Sequence, residues 1–249
     1  MFDLSDRTIV VTGGNGGIGL GLARGVARAG ARVAIWARNE EKSQAAQLEL
    51  ESLGAEVITL QCDIASEDQI EAAISATTER FGRIHAGFAN AGYGAPGDPL
   101  KISLEDWREL MSVNLDGTFL TLRCLANHMI ENGGGGKLVA TSSMVEHFAA
   151  PLQAHYAASK CAVGSLVRTL AVRLARHDIQ VNSIRPGWVK TEQTEAIPPE
   201  LDQAILKRTP ARRWGEISDF EGIAIYLASD LSAYHTGDDI LIDGGYTSF

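Results

Sequence analysis

The 249 residues are 45% hydrophobic and 21% charged, the balance of a globular chain long enough to bury one large core, and this excludes a disordered polymer. A formal charge of −9 and a pI of about 5.2 offer no basic footprint for nucleic acid or an anionic membrane, and no apolar run approaches the length of a membrane span. Cys62, Cys124 and Cys161 are scattered and out of ligand spacing, as are the six histidines, so inert thiols and no catalytic metal are expected.

The opening stretch, Met1 to Arg7, lacks a basic segment followed by an apolar one, and the expected location is cytoplasmic. The first strand is expected over Thr8 to Val11, where Ile9-Val10-Val11 is short, β-branched and continuous, as in a strand buried on both faces of a parallel sheet. Glycines follow in Thr12-Gly13-Gly14-Asn15-Gly16-Gly17-Ile18-Gly19. Such a run turns tightly, approaches a pyrophosphate and places its charge on the N-terminus of a helix, here beginning near Ile18. Two registers fit: Gly14, Gly16 and Gly19 match G-x-G-x-x-G, while Thr12, Gly13, Gly17 and Gly19 match T-G-x-x-x-G-x-G. Gly13, Asn15, Gly16, Gly17, Ile18 and Gly19 are therefore candidate cofactor residues, with a plain glycine turn as the competing reading.

A second strand is expected over Arg32 to Trp36. Where an NAD-specific site would place Asp or Glu on the ribose 2′-hydroxyl, the chain has Ala37 followed by Arg38. Removing the carboxylate relieves repulsion of a 2′-phosphate, and the planar fork of Arg38 can pair with that phosphate, so NADP(H) is favoured and NAD(H) stays open. The bland alternative is a solvated arginine opening the next helix. After a third strand, Glu56 to Gln61, Asp63 either meets the adenine amino group or begins the turn before a helix near Ser66; Ile64 beside it joins the candidate cofactor set. A fourth strand, Ile84 to Ala89, leads into the compact turn Asn90-Ala91-Gly92, where backbone can approach the cofactor. Asn114 interrupts the helical pattern of Ser103 to Glu131, which requires an exposed side chain or a specific bond.

Gly133 to Gly136 form a flexible connection to a fifth strand, Lys137 to Thr141, and further strands are expected at Gln180 to Ile184 and Asp239 to Ile242. In the helical stretch from Gln153 to His177, Tyr156 and Lys160 are four residues apart and share one face, so the ammonium can reach the phenol and favour the phenolate. Alternating strands and amphipathic stretches imply an α/β fold: a Rossmann-like, doubly wound parallel sheet of about seven strands with helices on both faces. No linker divides the chain, so 1–249 is expected to form one NAD(P)-binding domain, its irregular segment 191–213 acting as a substrate flap.

From about Thr8 to Gly245 the chain resembles the short-chain dehydrogenase/reductase family, through Thr12-Gly13-x-x-x-Gly17-x-Gly19 and Tyr156-x-x-x-Lys160. The resemblance implies that Tyr156 is the general acid/base and that Ser143 hydrogen-bonds the substrate oxygen. Lys160 would lower the tyrosine pKa and bind the nicotinamide ribose, and Asn114 would hold a water linking Lys160 to solvent. Pro186 and Gly187 belong to the segment that receives the carboxamide, with Val189 contributing backbone and Thr191 its hydroxyl. Asp243-Gly244-Gly245 resembles the C-terminal signature; Ala89 departs from the usual Asn-Asn-Ala-Gly, at Ala89-Asn90-Ala91-Gly92. The implied activity is hydride transfer between nicotinamide and a small-molecule carbonyl or secondary alcohol, in a homo-oligomer, usually a tetramer. The other readings are a catalytically silent dinucleotide sensor and an epimerase, dehydratase or enoyl reductase on the same scaffold. A sugar-derived ketone, a 3-oxoacyl thioester, a terpenoid and a steroid all remain possible substrates. Met144, Val145, His147 and Gln153 would line the wall facing the flap.

Overall fold

The computed structural model describes residues 2–147 and 149–248; Met1, Phe148 and Phe249 lie outside the described residues. Seven strands alternate with helices: β1 (Thr8–Thr12), α1 (Gly17–Arg28), β2 (Arg32–Ala37), α2 (Glu40–Ser52), β3 (Val57–Gln61), α3 (Glu67–Phe81), β4 (Ala86–Ala89), α4 (Leu104–Met111), α5 (Thr118–Asn132), β5 (Gly136–Thr141), α6 (Ala154–Leu174), β6 (Ile179–Pro186), α7 (Pro199–Arg208), α8 (Glu221–Ala228) and β7 (Asp239–Ile242). The strands form one sheet in the order β3-β2-β1-β4-β5-β6-β7, with every neighbouring pair parallel. The order reverses between β1 and β4, and the crevice beyond their carboxyl ends is where a doubly wound sheet binds ligands.

Alternation along each central strand feeds two cores. Ile9, Val11 and Ile35 pack with α1 and α8, while Val10, Ala34 and Trp36 pack on the opposite face with residues of α3, α5 and α6. Trp36 donates its indole N–H to Thr77 Oγ1 at 3.1 Å, so even the largest buried ring leaves no polar atom unsatisfied. Side-chain caps start α2, α3 and α4: Asn39, Ser66 and Ser103 each accept from the backbone N–H three residues on. The first turn of α1 differs. Its N-cap is Gly16, no side chain caps it, and no acidic residue follows, which leaves its amides open toward the crevice.

Two stretches depart from the sequence reading. The expected helical run Ser103 to Glu131 is broken into α4 and α5 by a π-helical turn, Ser112–Gly117, which contains Asn114. Segment 191–213 is less irregular than expected, because Pro199 stands at the first position of α7, where a missing N–H costs nothing.

His85, just before β4, accepts from the Thr8 N–H through Nδ1 at 3.0 Å. Burial first, and then the charges of Arg83, Arg7 and Arg32, hold its imidazole down at about 4. An unfolded histidine titrates near 6.5, so neutral His85 adds stability that is complete above that pH and is lost as pH falls toward about 4. Calorimetry between pH 7 and pH 4 is expected to show Tm falling over that window by about 2–4 °C per kcal/mol lost. His85→Asn is expected to flatten this part of the curve, and an unchanged slope would count against the assignment.

Candidate active site

A cleft of 730 Å³ runs across the carboxyl ends of β1, β2 and β4 toward β5 and α6. At its floor, Gly13 and Gly17 adopt φ of +63° and +51°, values that favour glycine, and turn the chain from β1 into α1. Asn15, Gly16 and Ile18 line the same end, and nothing lies within 4 Å of where a Cβ on Gly16 would project. Gly19 does not line the cleft. It is packed behind the turn, where a Cβ would lie 2.8 Å from the Gly13 carbonyl carbon and nearer still to its oxygen and to Asn90 Nδ2. Asn90 braces the switch point: Nδ2 donates to Thr12 O at 3.1 Å, and Oδ1 accepts from Thr141 Oγ1 at 3.1 Å. The Thr12 hydroxyl accepts the amides of Asn90 and Ala91 at 2.9 and 3.0 Å, presenting Asn90, Ala91 and Gly92 to the cleft.

At the opposite end from Tyr156, Arg38, Asp63 and Ile64 all line the cleft. Asp63 forms its turn as well, Oδ1 accepting from Ala65 N at 3.0 Å. Arg38 is exposed and has no ion-pair partner among the described residues. Pro186 and Thr191 close the far wall, whereas Gly187 and Val189 stand behind it: the Gly187 amide donates to Ile242 O at 2.9 Å, and buried Val189 pairs with Gly215.

Lys160 is buried and donates from Nζ to Thr141 O at 2.8 Å, with the ammonium 5.7 Å from the Tyr156 ring centroid. Burial draws Lys160 down to about 8, against the opposing pull of Glu146. Asn114, fully buried, accepts the Tyr93 N–H at 3.0 Å and donates to Tyr93 O at 2.8 Å. A Cβ on Gly92 would lie 3.0 Å from Asn114 Oδ1 and 3.6 Å from Lys160 Nζ, so the π-helical turn brings that amide to the lysine. Ser143 caps a short 3₁₀ turn over Met144–Glu146, its Oγ accepting the Val145 N–H at 3.3 Å, and it is the side chain that draws the Tyr156 phenol down against burial. The Tyr156 phenol differs from the sequence expectation. Burial pushes it above its ordinary value and Ser143 pulls it back, while the Lys160 ammonium is not among the groups that lower it.

Sequence reasoning missed the residues that tie the cleft shut. Lys42 of α2 pairs with Glu192, and Gln193 accepts the Gly94 N–H at 3.1 Å and donates to Gly92 O at 3.3 Å. These contacts join segments about 100 or more residues apart, and no local pattern signals them. His147 is absent from the cleft wall; its Nε2 meets the Arg185 guanidinium beneath α6. Cys62 and Cys124 are buried, Cys161 is exposed, and burial raises all three thiols, Cys62 to about 11. Away from the cleft, Glu67, Glu71 and Cys124 bring ligand-type atoms within 4.8 Å of one another, but Glu67 is already paired with Arg123. No described helix is long and apolar enough to cross a membrane.

A switch-point crevice lined by an uncapped helix N-terminus and by half-buried Tyr156 and buried Lys160, with buried Ser143 beside them, defines a dinucleotide-dependent oxidoreductase. Comparison with known proteins makes the class specific. A family model described as enoyl-(acyl carrier protein) reductase matches residues 13–247. The chain is 36% identical over 249 residues to a gluconate 5-dehydrogenase of Gluconobacter oxydans, covering 99% of this chain and 97% of the relative. Its structure superposes at TM-score 0.94 on a gluconate 5-dehydrogenase from Burkholderia cenocepacia in complex with NADP and tartrate, 38% identical and covering 100% and 98% of the two chains. A short-chain type dehydrogenase/reductase from Mycobacterium marinum gives TM-score 0.94 at 37% identity, covering 99% and 97%. The chain belongs to the short-chain dehydrogenase/reductase family and is an NAD(P)-dependent oxidoreductase of alcohol and carbonyl groups.

Proposed function

We propose that this enzyme reduces a polyhydroxylated ketone, foremost a keto acid of the gluconate type, using NADPH, with Tyr156 as the general acid. The observation that carries the reading is the arrangement: the half-buried Tyr156 phenol stands beside Ser143 with the Lys160 ammonium 5.7 Å from its ring centroid, placed to give a proton to a developing alkoxide. In the reverse direction the same oxygen takes the alcohol proton. Ser143 steadies the substrate oxygen beside it. Lys160, fixed on Thr141 O, presents positive charge under the phenol, and Asn114 stands where a water can link Lys160 to solvent.

The cleft fits a nicotinamide dinucleotide, because the open amides of α1 and the space above Gly16 form an anion cradle. When bound, that group supplies or accepts the hydride. Gly13, Asn15, Gly16, Gly17 and Ile18 would hold its pyrophosphate on the turn that Gly19 supports, and Asp63, Ile64, Asn90, Ala91 and Gly92 its adenine half. Pro186 and Thr191 would hold the nicotinamide end, with Gly187 and Val189 supporting them from behind the wall. Arg38, with Ala37 leaving no competing carboxylate, favours a 2′-phosphate, and Lys42 stands on the same rim.

Several gluconate and ketogluconate enzymes among the relatives support the substrate class, as does the half-buried amide of Gln153, near Tyr156. The same reading takes residues 1–249 as one domain with a flap at 191–213, working in the cytoplasm as a homotetramer. Exposed Phe119 on α5 and Val172 on α6 support the association.

The test is fluorescence titration with NADPH and NADH, followed by nicotinamide absorbance with 5-keto-D-gluconate, other ketoses, a 3-oxoacyl thioester and a steroid ketone. Preference for NADPH and turnover of the keto acid are expected. Arg38→Ala is expected to weaken NADPH about 10- to 100-fold, the loss of one charge-assisted pairing, and to leave NADH unchanged. Tighter NADH binding by the unaltered protein would overturn the Arg38 assignment, and turnover restricted to the thioester or the steroid would overturn the substrate class.

A further inference from the structure

We propose that His155 and Gly97 form a steric lock that fixes the loop after β4 beside Tyr156 and so sets the substrate-side wall of the site, with His155 as a positioning residue. The proposal rests on the reading of Tyr156 as the group that meets the substrate oxygen.

Of residues 91–100, Gly97 alone is buried. It is clasped to the chain that leads into α6: its amide donates to Leu152 O at 2.6 Å, its carbonyl accepts the Ala154 N–H at 3.1 Å, and it forms an isolated parallel bridge with Gln153. His155, 1% exposed, lies against the same residue. A Cβ on Gly97 would stand 2.6 Å from His155 Cε1, 2.7 Å from its Nδ1 and 3.1 Å from Ile102 Cδ1, so only glycine lets the loop come this near to the ring. Both backbone groups of Gly97 are already engaged, and His155 Nδ1 is buried without a hydrogen-bond partner among the described residues. The ring therefore acts on the loop through its shape and not through a hydrogen bond.

The near end of the loop is held by Asn114, whose amide takes both backbone groups of Tyr93. Between the two anchors lie Gly94, Ala95 and Pro96, and the fixed φ of the proline stiffens this short span. Gly94 faces the chemistry: a Cβ there would lie 4.0 Å from Tyr156 Cε2 and 3.9 Å from Gln153 Nε2. Residues 91–93 line the dinucleotide cleft, whereas 94–97 do not. A shift of Gly97 is therefore passed to the wall beside Tyr156 and leaves the dinucleotide end in place. His155 and Tyr156 are consecutive in α6 and about 100° apart around its axis, so the first turn carries both the acid and the prop for the wall that faces it.

Gly97 does not have a positive φ, so Gly97→Ala tests the contact and not the backbone. It is expected to raise the KM of whichever ketone is turned over about tenfold, with kcat and NADPH affinity changed by less than about twofold. Hydrogen exchange followed by backbone NMR in dinucleotide-free protein reads the lock without turnover. The amides of residue 97 and Ala154 are expected to exchange at least about tenfold faster in Gly97→Ala, while that of Val10, buried in β1, stays protected. The combined variant Gly97→Ala/His155→Ala is expected to return KM and exchange to within about threefold of the unaltered protein, because the methyl group then enters the space the ring leaves. Unchanged KM and exchange in Gly97→Ala overturn the proposal, as does a folded combined variant no better than Gly97→Ala alone. If the vacated space prevents folding, Gly97→Ala/His155→Val, which refills part of it, is read the same way. A protein that turns over no ketone fails the catalytic reading instead, and the exchange measurement then decides the lock by itself.

Discussion

Tyr156→Phe is expected to lower turnover about 10²- to 10⁴-fold while dinucleotide binding changes by less than about threefold. The substitution removes one oxygen and nothing else. The ring still fills its half-buried site against α6, Lys160 keeps its bond to Thr141 O, and Ser143 keeps the amide of Val145, 3.3 Å from its Oγ. What disappears is the one proton donor whose pKa burial has raised beside the place where an oxyanion would form. A factor of that size corresponds to about 3–5 kcal/mol of transition-state stabilisation, well above what a lost packing contact of one oxygen would account for. Steady-state kinetics with both dinucleotides and a thermal melt provide the check. Near-normal kcat in a folded variant would show that the proton comes from elsewhere.

The central strands β1 and β2 were legible because they are buried on both faces and so appear as short, continuous apolar runs; Ile9-Val10-Val11 and Val33 to Trp36 have no other economical reading. The glycine turn and the Tyr156–Lys160 spacing were legible because they are local patterns with a direct geometric meaning. The π-helical turn was not, since Ser112 to Gly117 keeps a helical periodicity and the extra residue per turn appears only once Asn114 is held on Tyr93. Segment 191–213 reads as irregular because Pro198-Pro199 resembles a break, whereas Pro199 opens α7. The direction of the Tyr156 shift was hidden for a different reason. Spacing places the ammonium near the phenol, but desolvation depends on everything packed around the pair, and that sum exists only in the fold. The Lys42–Glu192 pair likewise joins α2 to the flap across 150 residues of sequence.

Gly19→Ala is expected to abolish measurable dinucleotide binding, weakening it at least about 100-fold, and to lower stability by about 1–3 kcal/mol. Helix propensity alone predicts the opposite, since alanine inside a helix is favoured over glycine by up to about 1 kcal/mol. Here the steric effect wins, because the new Cβ would overlap the Gly13 carbonyl oxygen and Asn90 Nδ2, and neither can yield cheaply. Gly13 sits at φ +63° in the turn that aims the α1 amides, and Asn90 is the brace between β1 and β5. Displacing either moves the anion cradle and the switch-point loop together. Gly16→Ala provides the contrast. Its Cβ would enter open space from extended backbone at φ −175°, so the fold should be unaffected while a methyl group intrudes on the room needed by a pyrophosphate. Melting temperature and NADPH affinity separate the two effects: both fall in Gly19→Ala, and affinity alone falls in Gly16→Ala. If Gly19→Ala kept both, the close approach of α1 to the first turn would not be what shapes the site.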